Sequence, residues 1–334
     1  MRNTTLMSRG ALRGIAAGVL GLVWSCGGMG AAYAQAYPNH PVRLIVGFSP
    51  GGGTDVVARV VGQKVSETLG QQIIVENRPG ATGTIAANAV AKAPADGYTL
   101  LVAHVNSNAI APNIFAKLPY DSRRDFAPVI YLGYVPNVLV INARLPAKNV
   151  KELVAYAKQH PGELSFASSG NGSTQHLAGE MLKLAAGINI IHVPYKGSGQ
   201  AITDLLAGVV QMNIDTMPPV IEHIKSGSLR ALAVTTPKRA TQLPDVPTFV
   251  EEGMAGFTMT NWYGIAAPAG TPPEIVRRLN AEFDHALNAP DVRAKLAPVG
   301  AELAGGSAAD FDAFIKSEID KYAKLVKDAN IKQE

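Results

Sequence analysis

The chain has 334 residues, with 30 basic and 26 acidic side chains and one cysteine. Residues 1–34 contain Arg2, Arg9 and Arg13 and no acidic residue, so 27 basic and 26 acidic side chains follow them. This near balance lacks the basic excess typical of nucleic-acid-binding proteins, so we expect no nucleic-acid partner. The remaining 300 or so residues are too many for one simple hydrophobic core and favour two domains.

The first 34 residues have the pattern of a secretory signal peptide. Three arginines precede a short apolar stretch at residues 14–24, and Ala32-Tyr33-Ala34 matches the small-residue cleavage pattern. The stretch is shorter than the roughly 20 residues of a transmembrane helix. We therefore predict export to the periplasm with cleavage near Ala34. Lipid attachment at Cys26 is the alternative, and cleavage after Ala34 would leave no thiol.

Strand and helix patterns alternate in the first part of the chain. The sequence predicts a strand at residues 42–48, a helix at 54–69, a strand at 73–75, a helix at 84–93 and a strand at 99–103. Gly70 is a typical helix end. This β-α-β order is typical of an α/β protein in which helices cover both faces of a parallel sheet.

A second α/β module is predicted from residue 139 onward. Its predicted helices are 150–158, capped by Asn149, 174–186 and 200–207, and its strands are 164–167, 188–193, 210–214 and 229–234. A strand at 262–266 then returns to the first module, and helices at 273–287 and 308–329 complete the chain. We predict a first domain at 35–138 and 264–334, a second at 139–263, and two crossing segments that act as a hinge. Ligands of such folds bind in a cleft at the strand ends.

Two glycine-rich loops each lead from a strand into a helix that starts with Ser or Thr. The first reads Phe-Ser-Pro-Gly-Gly-Gly-Thr-Asp at residues 48–55, and the second Ser-Ser-Gly-Asn-Gly-Ser-Thr at 168–174. Free N–H groups at a helix start bind anions, and glycine allows an anion to approach the backbone. Two such loops facing each other would hold a carboxylate from both sides.

Hydroxyl, amide and aromatic side chains near these loops complete the predicted site. The residues that we predict to bind the ligand are Phe48, Ser49, Gly52, Gly53, Thr54, Asp55, Thr82, His104, Asn106, Ser169, Asn171, Ser173, Thr174, Tyr195 and Asp215. Structural roles are the alternative for many of them: helix capping for Thr54 and Asp55, a core hydrogen bond for His104, and capping of the following loop for Asp215. Lys196 is expected to extend along the surface.

Known catalytic and nucleotide-binding motifs are absent or incomplete. Residues 51–54 lack the lysine of a P-loop, and Gln175 stands where the dinucleotide fingerprint needs its third glycine. The sequence contains no HExxH, and Gly-Asn-Gly-Ser at 170–173 only approaches the serine hydrolase motif. We therefore predict a protein that is not an enzyme and needs no metal or cofactor, with a hydrolase that uses Ser173 as a remote alternative.

A series of short motifs covers nearly all of the chain after residue 34. They lie at residues 48–55, 76–81, 95–100, 169–173, 176–180, 193–197, 229–234, 243–248, 262–264 and 267–272. In this order they resemble the Bug family, the periplasmic receptors of tripartite tricarboxylate transporters. The resemblance implies a type II Venus-flytrap fold that holds an organic acid through backbone amides, hydroxyls and water.

The resemblance also implies a partner. A receptor of this family delivers its small organic acid to the integral membrane permease subunits of a tripartite transporter, and we expect a monomer. An orphan receptor that signals through a membrane sensor is the alternative. Aromatic acids, dicarboxylates and acidic amino acids all remain open as ligands.

Overall fold

The computed structural model describes residues 37–195, 197–328 and 331, so the predicted signal peptide, Lys196 and the last residue of the predicted helix 308–329 lie outside the described residues. Within the described ranges, no helix combines the length and apolar character needed to cross a membrane. The same residues contain no group of three or more His, Cys, Asp or Glu side chains placed to hold a metal ion.

The described residues form ten strands. They are β1 (Val42–Val46), β2 (Ile73–Asn77), β3 (Thr99–His104), β4 (Phe126–Asn142), β5 (Ser165–Ser168), β6 (Ile191–Pro194), β7 (Met212–Thr216), β8 (Leu229–Val234), β9 (Thr260–Pro268) and β10 (Glu302–Leu303).

Ten α-helices lie between these strands in the described part of the chain. They are α1 (Gly53–Leu69), α2 (Thr84–Ala91), α3 (Ala111–Ile114), α4 (Val150–Gln159), α5 (Thr174–Ala186), α6 (Ser198–Ala207), α7 (Ile221–Lys225), α8 (Pro273–Asn288), α9 (Pro290–Leu296) and α10 (Ala308–Asp328). Short 3₁₀ turns at Ala81–Gly83 and Ala297–Val299 and a π-helical turn at Asn106–Ile110 complete the helical structure.

The strands form one hydrogen-bonded path in the order β2-β1-β3-β9-β4-β7-β5-β6, with β8 and β10 also paired to β4. β1 pairs in parallel with β2 and β3, and β5 pairs in parallel with β6 and β7. β9 is antiparallel to β3, and all partners of β4 are antiparallel to it. The α/β prediction is confirmed, and the predicted parallel pairing holds for β1, β2 and β3, whereas β4 and β9 run antiparallel to their neighbours.

Strand β4 belongs to two sheets. Its residues 126–136 pair with β9 and, together with β1, β2, β3 and β10, form the first sheet. Its residues 137–142 pair with β7 and β8 and, together with β5 and β6, form the second sheet. The change of partner falls at Pro136 and Asn137, close to the predicted crossing at 138/139. The domain boundaries themselves remain a prediction, because strand pairing does not measure independent motion.

The first half of β4 has no counterpart among the predicted strands, since proline and glycine interrupt its pattern. The pairing with β9 shifts register between Pro128 and Ile130 and again between Tyr131 and Gly133. Gly133 has φ +126°, and a Cβ there would lie 2.0 Å from the Glu302 carbonyl of β10. A glycine is required by this close approach, and a β-bulge is a usual place for it.

Apolar faces of the helices pack against both faces of the sheet structure. Val57, Val61 and Val65 of α1 are buried against the first sheet, as their spacing predicts. Gly70 ends α1 in the left-handed conformation, and the Asn149 side chain accepts a hydrogen bond from Glu152 N at 2.8 Å to cap α4. These local signals place α1 and α5 so that their N-terminal ends follow β1 and β5, with the glycine-rich loops between.

Candidate functional site

Helix α1 begins at Gly53 with backbone donors available. Its N-cap, Gly52, is extended, and no side chain caps the helix. Among the described residues, no acceptor bonds the N–H groups of Gly53, Thr54 or Asp55. The start of a helix carries partial positive charge, so this end offers an anion both donors and a favourable field.

The hydroxyl of Tyr263 lies at this helix start. Tyr263 is 2% exposed, and a Cβ on Gly53 would lie 3.3 Å from its hydroxyl oxygen. Thr54 and Asn261 are its polar neighbours, yet neither forms a well-aligned hydrogen bond with it, and the hydroxyl has no partner within the described chain. Burial raises the pKa of Tyr263, so the group stays a neutral donor. A buried hydroxyl without a partner is costly unless something binds it.

His104 at the end of β3 packs between two aromatic rings. Its ring centroid lies 4.4 Å from that of Phe48 and 5.5 Å from that of Tyr263. Asn106 N donates to Nδ1 at 3.1 Å, which assigns the proton of the neutral ring to Nε2. Burial lowers the pKa of His104 to about 3, so the ring is neutral at physiological pH. Phe48 and His104 thus pack together beside Tyr263, and contact of Phe48 with a ligand remains a prediction.

Asn106 connects the two sheets. Its Oδ1 accepts a hydrogen bond of 3.2 Å from the backbone N of Thr174, the first residue of α5. The Thr174 hydroxyl lies 3.5 Å from Oδ1 of Asn261 on β9. Pro218, which follows β7, lies 3.5 Å from the position of a Cβ on Gly53. These contacts connect seven residues from the two sheets and their loops, which we call the junction site: Gly53, Thr54, His104, Asn106, Thr174, Asn261 and Tyr263.

The second glycine-rich loop differs from the first in how its helix start is occupied. The Ser173 side chain caps α5 by accepting from His176 N at 3.2 Å, and Asn106 occupies the first amide of the helix. Of the first three α5 amides, only that of Gln175 has no partner in the described residues. Protein groups therefore already satisfy much of this second helix start, and the facing arrangement of the two loops remains a prediction.

Asp215 at the end of β7 is completely buried and gathers donors from three elements. Its Oδ1 accepts from Gln175 at 3.0 Å, Ser198 at 2.9 Å and Thr216 N at 2.7 Å, and its Oδ2 accepts from Asn213 at 2.9 Å. Burial raises the pKa of Asp215, and these hydrogen bonds oppose the rise in part. The carboxylate ties the starts of α5 and α6 to β7, which favours the structural alternative.

Asp55 also has its oxygens occupied. Gly51 N and Arg59 Nε donate to Oδ2 at 2.9 and 3.0 Å, and Asn77 donates to Oδ1 at 2.8 Å. Burial raises the pKa of Asp55, but the bonds from Arg59, Gly51 and Asn77 bring it below its ordinary value. The carboxylate braces the glycine-rich loop.

The other predicted residues lie apart from the junction site or bond to neighbours. Ser49, Gly52 and Asn171 are exposed on the two loops. Thr82 donates to the Ala81 carbonyl at 2.7 Å, Ser169 to Gln175 at 2.8 Å and Tyr195 to Asp204 at 2.8 Å. Their predicted contacts with a ligand remain predictions, and the structure does not bring their side chains together.

No arginine or lysine is among the buried residues of the described chain. The donors gathered at the junction site are neutral N–H and O–H dipoles. Such fixed dipoles replace the hydration shell of an anion without a counter-charge.

Asn261 and Pro218 were missed in the candidate set. Asn261 stands at the polar start of β9, and a lone amide before an apolar strand carries little signal. Proline is common in turns, so the sequence gives no sign that Pro218 contributes to the site. Asn261 reaches the site because β9 lies between β3 and β4, and Pro218 reaches it because it follows β7. Only the three-dimensional structure shows these placements.

A family model described as "Tripartite tricarboxylate transporter family receptor" (TctC) matches residues 57–331. The chain belongs to this family. BugT of Bordetella pertussis is 40% identical to this TctC-family chain over 316 residues, which cover 94% of the chain and 97% of BugT. The resemblance to Bug-type receptors is thus confirmed.

Solved structures of periplasmic binding proteins share the fold. BugD superposes with a TM-score of 0.83 at 35% identity and covers 89% of this chain and 100% of BugD. An R. palustris protein with adipate gives 0.83 at 40% identity, covering 88% and 98% of the two chains. MatC of Rhodopseudomonas palustris with bound malate gives 0.80 at 34% identity, covering 87% and 100%. These relatives are solute-binding proteins and not enzymes, and the type II binding-protein fold is shared.

Proposed function

We propose that the exported chain captures a small organic carboxylate at the junction site and delivers it to the permease of a tripartite tricarboxylate-type transporter. The observation that carries this proposal is the start of α1. Three amides and the Tyr263 hydroxyl that have no partner in the described chain converge there with the Thr54 hydroxyl, and no arginine or lysine of the described residues is buried. This arrangement suits an anion that is bound by dipoles.

Binding follows from burial of the carboxylate among these donors. The amides of Gly53 and Thr54 replace water on one oxygen, while the two hydroxyls and the Nε2–H of neutral His104 supply further donors. Closing the sheets around the anion excludes solvent, which strengthens each hydrogen bond. A ligand that contacts both sheets binds the closed form better than the open one and shifts the population toward it.

The relatives support the choice of ligand class. One R. palustris structure carries adipate and MatC carries malate, and both acids are small dicarboxylates. We therefore place small dicarboxylates first among the acids that the sequence left open. Delivery to a permease rests on the family, whose receptors are named for the tripartite tricarboxylate transporter.

A thermal-shift screen of residues 35–334 against organic acids tests the capture step. A ligand at 100 times its Kd adds about 2.7 kcal/mol to the unfolding free energy, which raises Tm by a few degrees. We expect stabilisation by adipate or malate and none by neutral sugars. Stabilisation confined to sugars or cations would contradict the proposal.

The Thr54→Val variant tests the location of the site. We expect affinity for the stabilising acid to fall by about 1–3 kcal/mol, because the change removes a buried donor. Thr203→Val on α6 is the control, since Thr203 is exposed and bonds only to the Gly199 carbonyl at 3.1 Å. Equal affinities in isothermal titration calorimetry for Thr54→Val and the wild type would place the anion elsewhere.

Delivery is tested separately with proteoliposomes that contain the permease subunits. We expect uptake of the labelled acid only when the receptor is added outside the vesicles. Tight binding without receptor-dependent uptake would favour the sensor alternative over transport.

A further inference from the structure

Asn137 on β4 is a buried amide that the fold does not use. It is 0% exposed, and neither Nδ2 nor Oδ1 has a hydrogen-bond partner in the described part of the chain. Leaving a buried donor or acceptor unpaired lowers the stability of the folded state. An apolar side chain of similar size would avoid this cost. A buried amide at this position is therefore best explained by a hydrogen-bond partner that is not part of the protein.

A second asparagine on the same strand shows the contrast. Asn142 is also buried, and its Nδ2 donates to the Leu205 carbonyl at 2.7 Å while its Oδ1 accepts from Arg144 N at 3.0 Å. Both ends of that amide hold the fold together. Asn137 has the same side chain on the same strand without either bond, so its role differs.

Asn137 stands where β4 passes from the first sheet to the second. Its Cα pairs with Thr216 of β7, and its carbonyl accepts from Thr235 N at 3.0 Å. The preceding residue, Pro136, accepts from Met217 N at 3.0 Å, and Met217 is followed by Pro218, which faces Gly53. The unpartnered amide therefore lies next to the chain segments that border the junction site.

Tyr263 provides the second unpartnered polar group on the same pair of strands. Tyr263 of β9 pairs with Gly133 of β4, four residues before Asn137. Tyr263 lies opposite Gly133, and residues two and four apart on a strand share a face, so the Tyr263 and Asn137 side chains lie on one face of the sheet, roughly 13 Å apart along β4. One small molecule with polar groups at both ends can therefore reach the Tyr263 hydroxyl and the Asn137 amide.

The hydrogen-bonding capacity of the amide limits what the second polar group can be. Asn137 leaves both a donor, Nδ2, and an acceptor, Oδ1, without a partner in the described chain. An ammonium group carries donors only and cannot pair with Nδ2, whereas a hydroxyl, a carbonyl or a carboxylate can. A cationic group at this position is therefore disfavoured.

We infer that Asn137 determines specificity by binding a second, non-cationic polar group of the ligand, distant from the carboxylate held at α1. This inference rests on the proposed function. It assigns the recognition of that second group to a residue at the strand crossing and not to the glycine-rich loops.

Matched ligand pairs and Asn137→Leu test the inference by calorimetry. The pairs are adipate with hexanoate, and malate with 3-hydroxybutanoate, each pair differing in the distal carboxylate. We expect the wild type to prefer one of the dicarboxylates at least tenfold over its partner, and Asn137→Leu to lose that preference while binding the monocarboxylate as before. Asn137→Ser, which keeps a hydroxyl, should retain part of the preference and provides a second variant if Asn137→Leu does not fold.

The outcomes separate the two proposals. If the wild type binds none of the four acids and no other carboxylate of the thermal-shift screen, the proposed function fails. If it binds an acid but Asn137→Leu changes both members of a pair equally, or neither, the amide holds only a structural water and the inference fails. Equal wild-type affinity for both members of each bound pair would also overturn it.

Discussion

Two buried tyrosine hydroxyls have no hydrogen-bond partner in the described chain, and only one lies at the junction site. Tyr263 contacts the start of α1, whereas Tyr322 of α10 is packed in the apolar core. We expect Tyr263→Phe to weaken binding of the acid by about 1–3 kcal/mol and Tyr322→Phe to leave it unchanged. Isothermal titration calorimetry on both variants checks this.

Neither change should lower stability much, because neither hydroxyl has a well-aligned hydrogen-bond partner in the described chain. Equal affinity in the two variants would show that the Tyr263 hydroxyl is not a ligand donor.

For single residues, the sequence predicted which loop residues lie near the site better than it predicted what each of them bonds to. Glycines at a helix start predicted the α1 amides, and Thr54, His104, Asn106 and Thr174 do come together. The partners of Asp55 and Asp215 could not be predicted, because Asn77 and Ser198 lie far from them in sequence. Hydrogen bonds between distant segments leave no local pattern.

The start of helix α1 depends on the missing side chain at Gly53. Alanine favours helices by about 1 kcal/mol over glycine, so Gly53→Ala should not destabilise the protein. A Cβ there would lie 3.3 Å from the Tyr263 hydroxyl and 3.5 Å from Pro218, in the space an anion needs. We expect at least a tenfold loss of affinity with an unchanged or raised Tm.

Gly199→Ala on α6 is the matched control, since its Cβ would meet nothing within 4 Å. The two variants are compared by thermal unfolding and by ligand titration. Wild-type affinity in Gly53→Ala would show that the anion does not approach this part of the loop.

Helix α5 tests the second half of the predicted carboxylate clamp. Ser173 caps α5, so Ser173→Ala should lower the unfolding free energy by about 1 kcal/mol. Asn149→Ala removes the equivalent cap from α4 and should lower stability by a similar amount. We expect only Ser173→Ala to weaken binding as well, measured by urea unfolding and titration.

If Ser173→Ala affects stability alone, capping explains the residue completely, and the anion is held by α1 and its neighbours. The Asn106 bond to Thr174 N would then be the main contribution of this helix start.

Elements with regular periodicity could be predicted, and irregular ones could not. The valine face of α1, its C-terminal Gly70 and the Asn149 cap of α4 predicted these helices correctly. The first half of β4 was missed because its two register shifts break the alternation on which strand prediction depends. The antiparallel direction of β9 was not predictable either, since alternating strands and helices favour parallel pairing.

The stability of the whole molecule should depend on pH through His104. Its folded-state pKa is about 3, below the ordinary 6.5 or so, because burial disfavours the charged ring. As the pH falls below about 6.5, the His104 ring takes up a proton in the unfolded chain, whereas the buried ring of the folded chain stays neutral. The unfolding free energy should therefore fall between pH 6.5 and 3, with a contribution from this residue of up to about 1.4 kcal/mol per pH unit.

Urea unfolding of the wild type and His104→Gln between pH 7 and 4.5 measures that contribution as a difference in slope. The variant cannot titrate at this position, so its stability should fall less steeply. Identical slopes would show that His104 takes up a proton equally well in both states.

Strand β4 couples the two sheets through an unbroken main chain. A relative rotation of the sheets must twist this strand at Pro136 and Asn137, where no loop absorbs the change. Twisting the strand distorts its hydrogen bonds with β9 on one side of the crossing and with β7 and β8 on the other, so these bonds oppose the rotation. Opening should therefore be a small elastic displacement that returns without delay, and the rate of ligand exchange should be governed by the stiffness of this strand.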